Sequence, residues 1–455
     1  MLLPIYAKSR TSTTPSSSGA PRTHISWRNL LGIATLAVGV IACDAASDDP
    51  SARHGVSEAL ARGITLESPA EALAFDNQRL ASELQLPIAD IDRAMSFQSS
   101  FAEYQDEILE RFPNRVAGTW VEPVPAVGGH IRFVGDVPAS VAAQVKTRAD
   151  LRGRVTLHGG GATSLEEQAA RVGLITDVVA REKYTNFAIG FDPIEDAIRI
   201  RLGISNSVFN PTHARDALAA SARTLAAASD PVTAARVRAI DWNAVKVVVT
   251  GDTSPLLVPE HSRGGAWLGD DGVRECTSGW TVDGPDGDGI LTAGHCRGLN
   301  EYYENGVLGP YSMTWRAQIL GAAGDAEYHT TSHVEEARFY SNSATLRNTL
   351  SLRSTNTMVG RTVCFYGRSS NLRTCNHVVQ LVGETVGVAQ PGGGFLITGN
   401  LAEATNVTSQ SGDSGGGWSY ASEAFGLHVG AGGGFSYFLP GQVAEDQLDV
   451  TILLQ

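Results

Sequence analysis

Glycine divides this chain. Of its 49 glycines, 16 fall in residues 1–250 and 33 in residues 251–455. Charge divides with it. The first stretch holds 25 basic and 27 acidic residues, net −2, whereas the second holds 10 basic and 21 acidic, net −11. All ten later basic residues are arginine, and the last lysine is Lys246. A change this abrupt predicts two different units in series, and 455 residues suffice for two or three domains with buried cores. The acidic balance argues against nucleic acid as a partner, because phosphate recognition needs a clustered Lys/Arg face. A 42 % hydrophobic content without a glycine period excludes collagen and low-complexity chains.

The two stretches differ in periodicity as well. From about residue 76 apolar residues recur at three- and four-residue spacing, which predicts helix. Strand-like runs follow at 130–137, 196–204 and 244–251, with helical, Ala-rich stretches at 164–182 and 213–239. Residues 76–255 therefore read as α+β, in two small units. After 255 short strands are punctuated by Gly, Asp and Asn turns, which predicts an antiparallel sandwich or barrel. DGPDGDG (283–289) is half of a calcium loop without its bidentate Glu, and reads as a hairpin turn. His329 and His333 share i,i+4 spacing, but HTTSH lacks the chemistry of HExxH, so no metal site is expected.

Residues 1–28 are polar and basic, and an uncharged run, Asn29 to Ala42, follows. That run is too short to span a bilayer but suits a signal-peptide core. It ends Val40-Ile41-Ala42-Cys43, which resembles a bacterial lipobox whose cysteine becomes a lipidated N-terminus. An ordinary secretory leader with an incidental cysteine is the alternative, and either predicts export. Residues 44–75 are small and polar, and read as a linker. The other four cysteines, Cys276, Cys296, Cys364 and Cys375, all lie in the Gly-rich stretch and read as two disulfides. Three connectivities are open; nearest-neighbour pairing, 276–296 and 364–375, is the simplest. The rival, a metal site, lacks any CxxC spacing.

Two segments carry chemistry: Leu291-Thr292-Ala293-Gly294-His295-Cys296 and Ser411-Gly412-Asp413-Ser414-Gly415-Gly416-Gly417. A serine hydroxyl needs an adjacent base to act as a nucleophile, usually a His oriented by a carboxylate. Gly412 and Gly415 allow a tight turn in which the amides of Gly412 and Ser414 converge as an oxyanion hole. GDSGG also fits G-x-S-x-G, but an α/β-hydrolase needs the order Ser, acid, His. Here only Glu423 and His428 follow Ser414 closely, with no parallel βαβ units after them.

With these residues in hand, LTAGHC and SGDSGGG resemble the His and Ser motifs of chymotrypsin-like serine peptidases, over about residues 260–455. The resemblance implies an all-β domain of two six-stranded antiparallel Greek-key barrels. It makes His295 general base and acid, and Ser414 the acyl-forming nucleophile. It also implies the Cys276–Cys296 pair beside the His, while Cys364–Cys375 is similar to a loop disulfide of the streptogrisin and α-lytic protease branch. The third member must lie between the other two. Gly324-Asp325-Ala326-Glu327-Tyr328 resembles the Asp motif of bacterial members, and Asp413, next to Ser414, is expected to point away from His295.

Departures from the family pattern bear on the site. Gly417 stands where Pro is usual. Val429, in the strand Gly426-Leu427-His428-Val429-Gly430 that resembles the substrate-pairing strand, stands where a Ser helps hold the catalytic Asp; His428 is a candidate substitute. Thr408, six residues before Ser414, is not an acid, which argues against a preference for Arg or Lys. Gly430 and Gly432–Gly434 suggest an open pocket for an apolar side chain, so Thr408, Val429 and Gly430 are the expected substrate-binding residues.

The expected organisation is a leader (1–43), a linker (44–75), an α+β pro-region (76–255) that assists folding and then inhibits, and a protease domain (256–455) released by cleavage between about 250 and 264. The expected function is an exported serine endopeptidase without cofactor or metal, acting on proteins or peptides. Its other partners are its own pro-region and, through a lipid on Cys43 alone, the membrane. The alternative is a non-catalytic envelope lipoprotein that keeps the fold for binding, motivated by Val429 and Gly417.

Overall fold

A serine, an asparagine or an aspartate opens four of the N-terminal helices. Ser68 caps α1 (Pro69–Leu84) in a capping box with Glu71, and Ser164 accepts the Glu167 N–H at the start of α4 (Leu165–Arg181). Asn210 and Asp230 cap α5 (Pro211–Ala228) and α6 (Pro231–Arg238), each followed by the proline that suits a first helical position. With α2 (Ile88–Arg111) and α3 (Ala139–Thr147) these helices pack on two sheets. The first sheet joins β2 (Val116–Val121), β3 (Gly129–Val134) and β4 (Val155–Gly161); the second begins with β5 (Phe187–Asp192), β6 (Ala197–Gly203) and β7 (Lys246–Thr250). Phe97, Phe101 and Tyr104 of α2 meet Ile131 and Phe133 in one core. In the other, Val172, Ile175, Leu218 and Leu225 cover Phe187, Ile189, Ile200 and Leu202. The α+β expectation thus corresponds to two separate cores.

A computed structural model describes residues 64–182, 184, 186–203, 210–250, 258–259, 265–304, 308–331, 335–389 and 395–455. The expected leader, Cys43, most of the expected cleavage window and His333 lie outside the described residues. The stretch expected to be a linker is structured at its C-terminal end. β1 (Thr65–Glu67) pairs in parallel with β17 (Thr345–Asn348), and α1 has already begun by Pro69. Small residues such as Ala72 here face a buried helix–sheet contact rather than solvent.

Beyond β8 (Val258–Pro259) the chain is almost wholly β. In order come β9 (Trp267–Asp270), β10 (Val273–Thr277), β11 (Thr281–Asp283), β12 (Gly289–Thr292), β13 (Glu301–Glu304), β14 (Leu308–Gly321), β15 (Gly324–Thr331), β16 (Arg338–Asn342), β17 and β18 (Ser351–Leu352). Then follow β19 (Thr362–Gly367), β20 (Leu372–Ala389), β21 (Phe395–Thr405), β22 (Gly417–Tyr420), β23 (Glu423–Gly432), β24 (Phe435–Pro440), α7 (Gly441–Leu448) and β25 (Thr451–Ile452). DGPDGDG is the turn between β11 and β12, whose strands pair Val282 with Gly289.

Two large sheets build this half beside the small β1-β17-β16 sheet, and they differ from the expected pair of six-stranded barrels. β19, β22, β23, β24, β21 and β20 pair in sequence, and β20 pairs back on β19, closing a ring of six. The other path, β10-β9-β13-β14-β15-β12-β11-β25, holds eight strands and stays open among the described residues. Its ends are β10, folded back on β9, and β25, supplied by the chain's last turn, and these do not meet. Trp280, Leu291, Tyr328, Leu401, Leu427 and Leu439 fill the core between the two sheets.

The ring does not stop at the half-way boundary. β20 projects beyond it and pairs with β5, at Thr385↔Ile189, Val386↔Ala188 and Gly387↔Phe187, so that β5, β6 and β7 extend the six strands to nine, and β8 and β18, paired on β23, bring the sheet to eleven. Gly387 makes this possible, since a Cβ there would stand 2.3 Å from the Phe187 ring. A second join is ionic. Asp76 of α1, fully buried, accepts from Arg373 (2.8 and 2.7 Å), from Arg347 (2.8 Å) and from the Ala421 N–H (2.7 Å).

Candidate active site

The seam between the open sheet and the ring is where the two sequence motifs meet. His295 lies just past β12, and Ser414 lies in the turn that leads into β22. β10 serves both. Cys276 is bonded to Cys296, which fixes the His loop, and the next residue, Thr277, holds the Ser turn. The Thr277 N–H donates to the Ser414 carbonyl at 2.9 Å, and its hydroxyl donates to the Gly412 carbonyl at 3.3 Å. Thr292, at the end of β12, donates in turn to the Thr277 carbonyl at 2.6 Å. Gly415 takes a φ of +87°, and a Cβ there would stand 2.2 Å from the Thr277 carbonyl and from the Thr292 hydroxyl. Only glycine lets this turn press against the open sheet.

Asp325 is the second residue of β15, one strand from β12. Both its oxygens are used on His295. Oδ1 accepts the His295 backbone N–H at 2.9 Å, and Oδ2 lies 2.9 Å from Nδ1. Nε2 lies 2.9 Å from Ser414 Oγ. Asp325 and Ser414 are buried. An ionised carboxylate at Nδ1 assigns the proton to that nitrogen, which leaves the Nε2 lone pair facing the serine hydroxyl. The arrangement can therefore draw a proton from Ser414 and hold it on an imidazolium beside a buried carboxylate.

The remaining sequence candidates fall into place around this chain of bonds. Asp413 is buried and turned away from His295. It accepts the N–H groups of Ser369 (2.9 Å), Ser370 (3.1 Å) and Gln410 (3.0 Å), while burial raises its pKa. The second disulfide, Cys364–Cys375, closes the same β19–β20 hairpin from which Ser369 and Ser370 reach Asp413. His428 is fully buried between Trp418, whose Nε1–H donates to Nδ1 at 3.3 Å, and the Phe365 ring. It therefore packs on the ring's aromatics, and Asp325 is oriented by His295's own backbone rather than by a residue of β23.

The expected pocket residues separate. The Val429 side chain lies in the core between the sheets. Thr408 Oγ1 lies 2.9 Å from Thr374 Oγ1 and 3.1 Å from His377 Nε2. His377 donates from Nδ1 to the Thr405 carbonyl at 2.8 Å, and burial drives its pKa down to about 4. Of the glycines expected to open a pocket, Gly433 and Gly434 form the two-residue turn joining β23 to β24, both at positive φ. Those two serve the hairpin.

Sequence reasoning missed Thr277 and the acidic strand face beside the triad. Asp325, Glu327 and His329 alternate along β15 and so share a face. Glu327 is buried, its pKa raised by that burial, and it pairs with His329 Nε2 at 2.9 Å. His329 is accounted for by this carboxylate. The D-x-E-x-H alternation within a predicted strand was the available signal.

No protein-family model and no curated protein matches the chain. Among solved structures it is similar to a glutamic acid-specific serine protease described as using a histidine triad in substrate binding (21 % identity, TM-score 0.34, 42 % of this chain and 99 % of that one). It is also similar to an alpha-lytic protease homolog, N4 (19 % identity, TM-score 0.33, 42 % and 98 %). A third is the serine protease of a human pathogenic astrovirus (13 % identity, TM-score 0.22, 40 % and 93 %).

Proposed function

We propose that this chain is a serine endopeptidase that cleaves peptide bonds through an acyl-enzyme on Ser414. The observation that carries the reading is the unbroken hydrogen-bond chain from Asp325 through His295 to Ser414, held at the junction of two sheets. In this reading Ser414 Oγ attacks the scissile carbonyl while His295 Nε2 takes its proton and later delivers it to the leaving amine. Asp325 keeps the tautomer and stabilises the imidazolium. The amides of Gly412 and Ser414 bind the oxyanion; losing one such donor costs about 10²–10³ in rate. Substrate backbone lies along β23 at Val429 and Gly430, and acyl transfer of this kind needs no cofactor.

The same reading makes the chain a bacterial precursor. Residues up to Cys43 direct export, Cys43 carries lipid, and the N-terminal α+β region assists folding and then inhibits. A fluorophosphonate probe tests the catalytic part. Labelling of the processed wild type that disappears in Ser414→Ala supports it; no labelling of the processed wild type overturns it in favour of a binding protein. Blotting a C-terminal tag in membrane and medium fractions tests the precursor part, which fails if only full-length, membrane-bound material is found.

A further inference from the structure

β15 presents three titratable side chains on one face, and the reaction proposed above uses only the first. Asp325 bonds to His295, while Glu327 and His329, next along that face, are each 1 % exposed. A carboxylate buried this deeply is costly unless its oxygens are bonded. Both are. Oε1 lies 2.9 Å from His329 Nε2, and Oε2 accepts at 3.4 Å from Nε2 of Gln318, which faces Glu327 from β14. The same Gln318 amide donates to the carbonyl of Gly294, the residue before His295. Gly294 is itself pressed against these strands, since a Cβ there would stand 2.3 Å from the Ile319 carbonyl and 2.8 Å from the Ala326 nitrogen. β15 thus reaches the histidine loop twice. Asp325 bonds to the His295 N–H and ring, and Glu327 acts through Gln318 on the peptide carbonyl just before them.

The bonding also fixes the charge of the Glu327–His329 pair. One proton lies between Oε1 and Nε2. Were it on Glu327, His329 would carry its own proton on Nδ1, which is buried and has no hydrogen-bond partner among the described residues. An imidazolium would bury the same unmet N–H. A neutral His329 protonated at Nε2 leaves only a lone pair there, and makes Glu327 the ionised member. Burial raises the Glu327 pKa, the bond to His329 opposes that rise, and Asp325 and His295 act on it with opposite signs.

The charged groups around the pair are engaged elsewhere. β12, on one side, carries no titratable side chain, and on the other Arg316 of β14 donates to Thr330 Oγ1 at 2.9 Å. Glu335 bonds to Thr331, the next residue on the same face. The opposite face of β15 enters the core between the sheets, where Glu403 of β21 is held by Arg199, Arg201 and Tyr437 of β24. On α7, Glu445 accepts the Ile452 N–H at 2.7 Å and Asp446 is exposed.

We propose that Glu327, with His329 behind it, is a positioning residue for His295: it holds the histidine loop through Gln318 and adds a second buried negative charge that favours the imidazolium. The role rests on the serine-endopeptidase reading above. As Ser414 gives its proton to Nε2, the positive charge forms in the field of two carboxylates, of which only Asp325 touches the ring.

The experiment measures kcat/KM of the processed wild type and of Glu327→Gln on a peptide substrate from about pH 4 to 9. Loss of the negative charge makes the imidazolium less stable, so the His295 pKa falls. The acid limb should therefore move down by about one pH unit, and the plateau should drop about tenfold, part of the roughly 10²–10⁴ that a positioned base supplies. A packing defect alone would lower the plateau without moving the limb, and Glu335 is the same in both proteins. Histidine nitrogen NMR of the full Ser414→Ala chain needs no change on β15. It should find His329 neutral and protonated at Nε2 from about pH 5 to 8. A limb that stays in place in Glu327→Gln, or a His329 that is an imidazolium or an Nδ1–H tautomer at neutral pH, overturns the inference and leaves the endopeptidase reading standing. Absence of Ser414-dependent cleavage by the processed wild type overturns the endopeptidase reading itself.

Discussion

Replacing Asp76 by alanine should weaken the whole chain far more than a change at one helical residue would suggest. The carboxylate is fully buried and sits between two guanidinium groups that are themselves at most 4 % exposed, Arg347 and Arg373. Asp76→Ala leaves Arg373 and the Ala421 N–H without this acceptor, and leaves Arg347 with Glu67, at 2.6 Å, as its remaining carboxylate. Removing one partner of a buried ion pair costs about 3–5 kcal/mol, because the survivor stays desolvated and uncompensated. Against the roughly 5–15 kcal/mol that hold a typical domain together, that is a large fraction. Urea unfolding in a Ser414→Ala background, which keeps the precursor intact, measures it. Arg93→Ala, which breaks the exposed α2 pair with Asp90 at 2.8 Å, is the control and should cost no more than about 0.5 kcal/mol. A loss at Asp76 below about 1 kcal/mol, with an unchanged urea slope, would refute the reasoning. Burial pushes the Asp76 carboxyl up, but Arg373 and then Arg347 hold it below its ordinary value of 3.8. A depressed carboxyl adds stability that is present above pH 3.8 and is lost as pH falls through the lower folded value. The Asp76→Ala penalty should therefore shrink in strong acid.

Four further outcomes are expected. Thr277→Val should lower kcat with little change in KM, by a factor set by about 0.5–1.5 kcal/mol, since it removes the hydroxyl bond to the Gly412 carbonyl; steady-state kinetics on a peptide substrate read it. Gly415→Ala should cost about 1–3 kcal/mol and most of the activity, because a side chain at φ +87° must displace Thr277 or Thr292, and paired unfolding and rate measurements check both. Converting Cys276 and Cys296 to alanine together opens a loop spanning 20 positions and should cost about 3 kcal/mol, with activity falling further because Cys296 adjoins His295; thermal unfolding against turnover separates the two. Glu335, its carboxyl pushed up to about 7 mainly by burial, adds stability that is present below pH 4.5 and fades as pH rises through 7, so Glu335→Gln should flatten the unfolding free energy over that range.

The residues of the candidate site are legible in the sequence because each sits in a short segment whose local geometry demands particular residues. A glycine before His295, glycines on both sides of Ser414 and a cysteine beside the histidine are nearest-neighbour constraints, and a linear reading finds them. The junction between the halves was not legible. Asp76 lies 271 residues from Arg347 and 297 from Arg373, and nothing in the periodicity of α1 marks one aspartate on its buried face as a counter-ion. The C-terminal end of the expected linker, residues 64–75, departs from expectation for a related reason. Small residues look alike whether they face solvent or a close helix–sheet contact, and β1 is three residues long. The pocket glycines misled because a two-residue hairpin turn and an open subsite both favour glycine, and only the β23–β24 register tells them apart.

The seam between β5 and β20 sets different rules for composition and for length. Its bonds run between backbone groups and so make no demand of their own on side-chain identity, which is set instead by the cores on either face. Its alternation, however, places Val386 in the core and lays Gly387 against the Phe187 ring. Inserting or deleting a single residue in β20 between the ring and Thr385 would reverse every side chain across the seam. The seam thus locks the two halves together in frame.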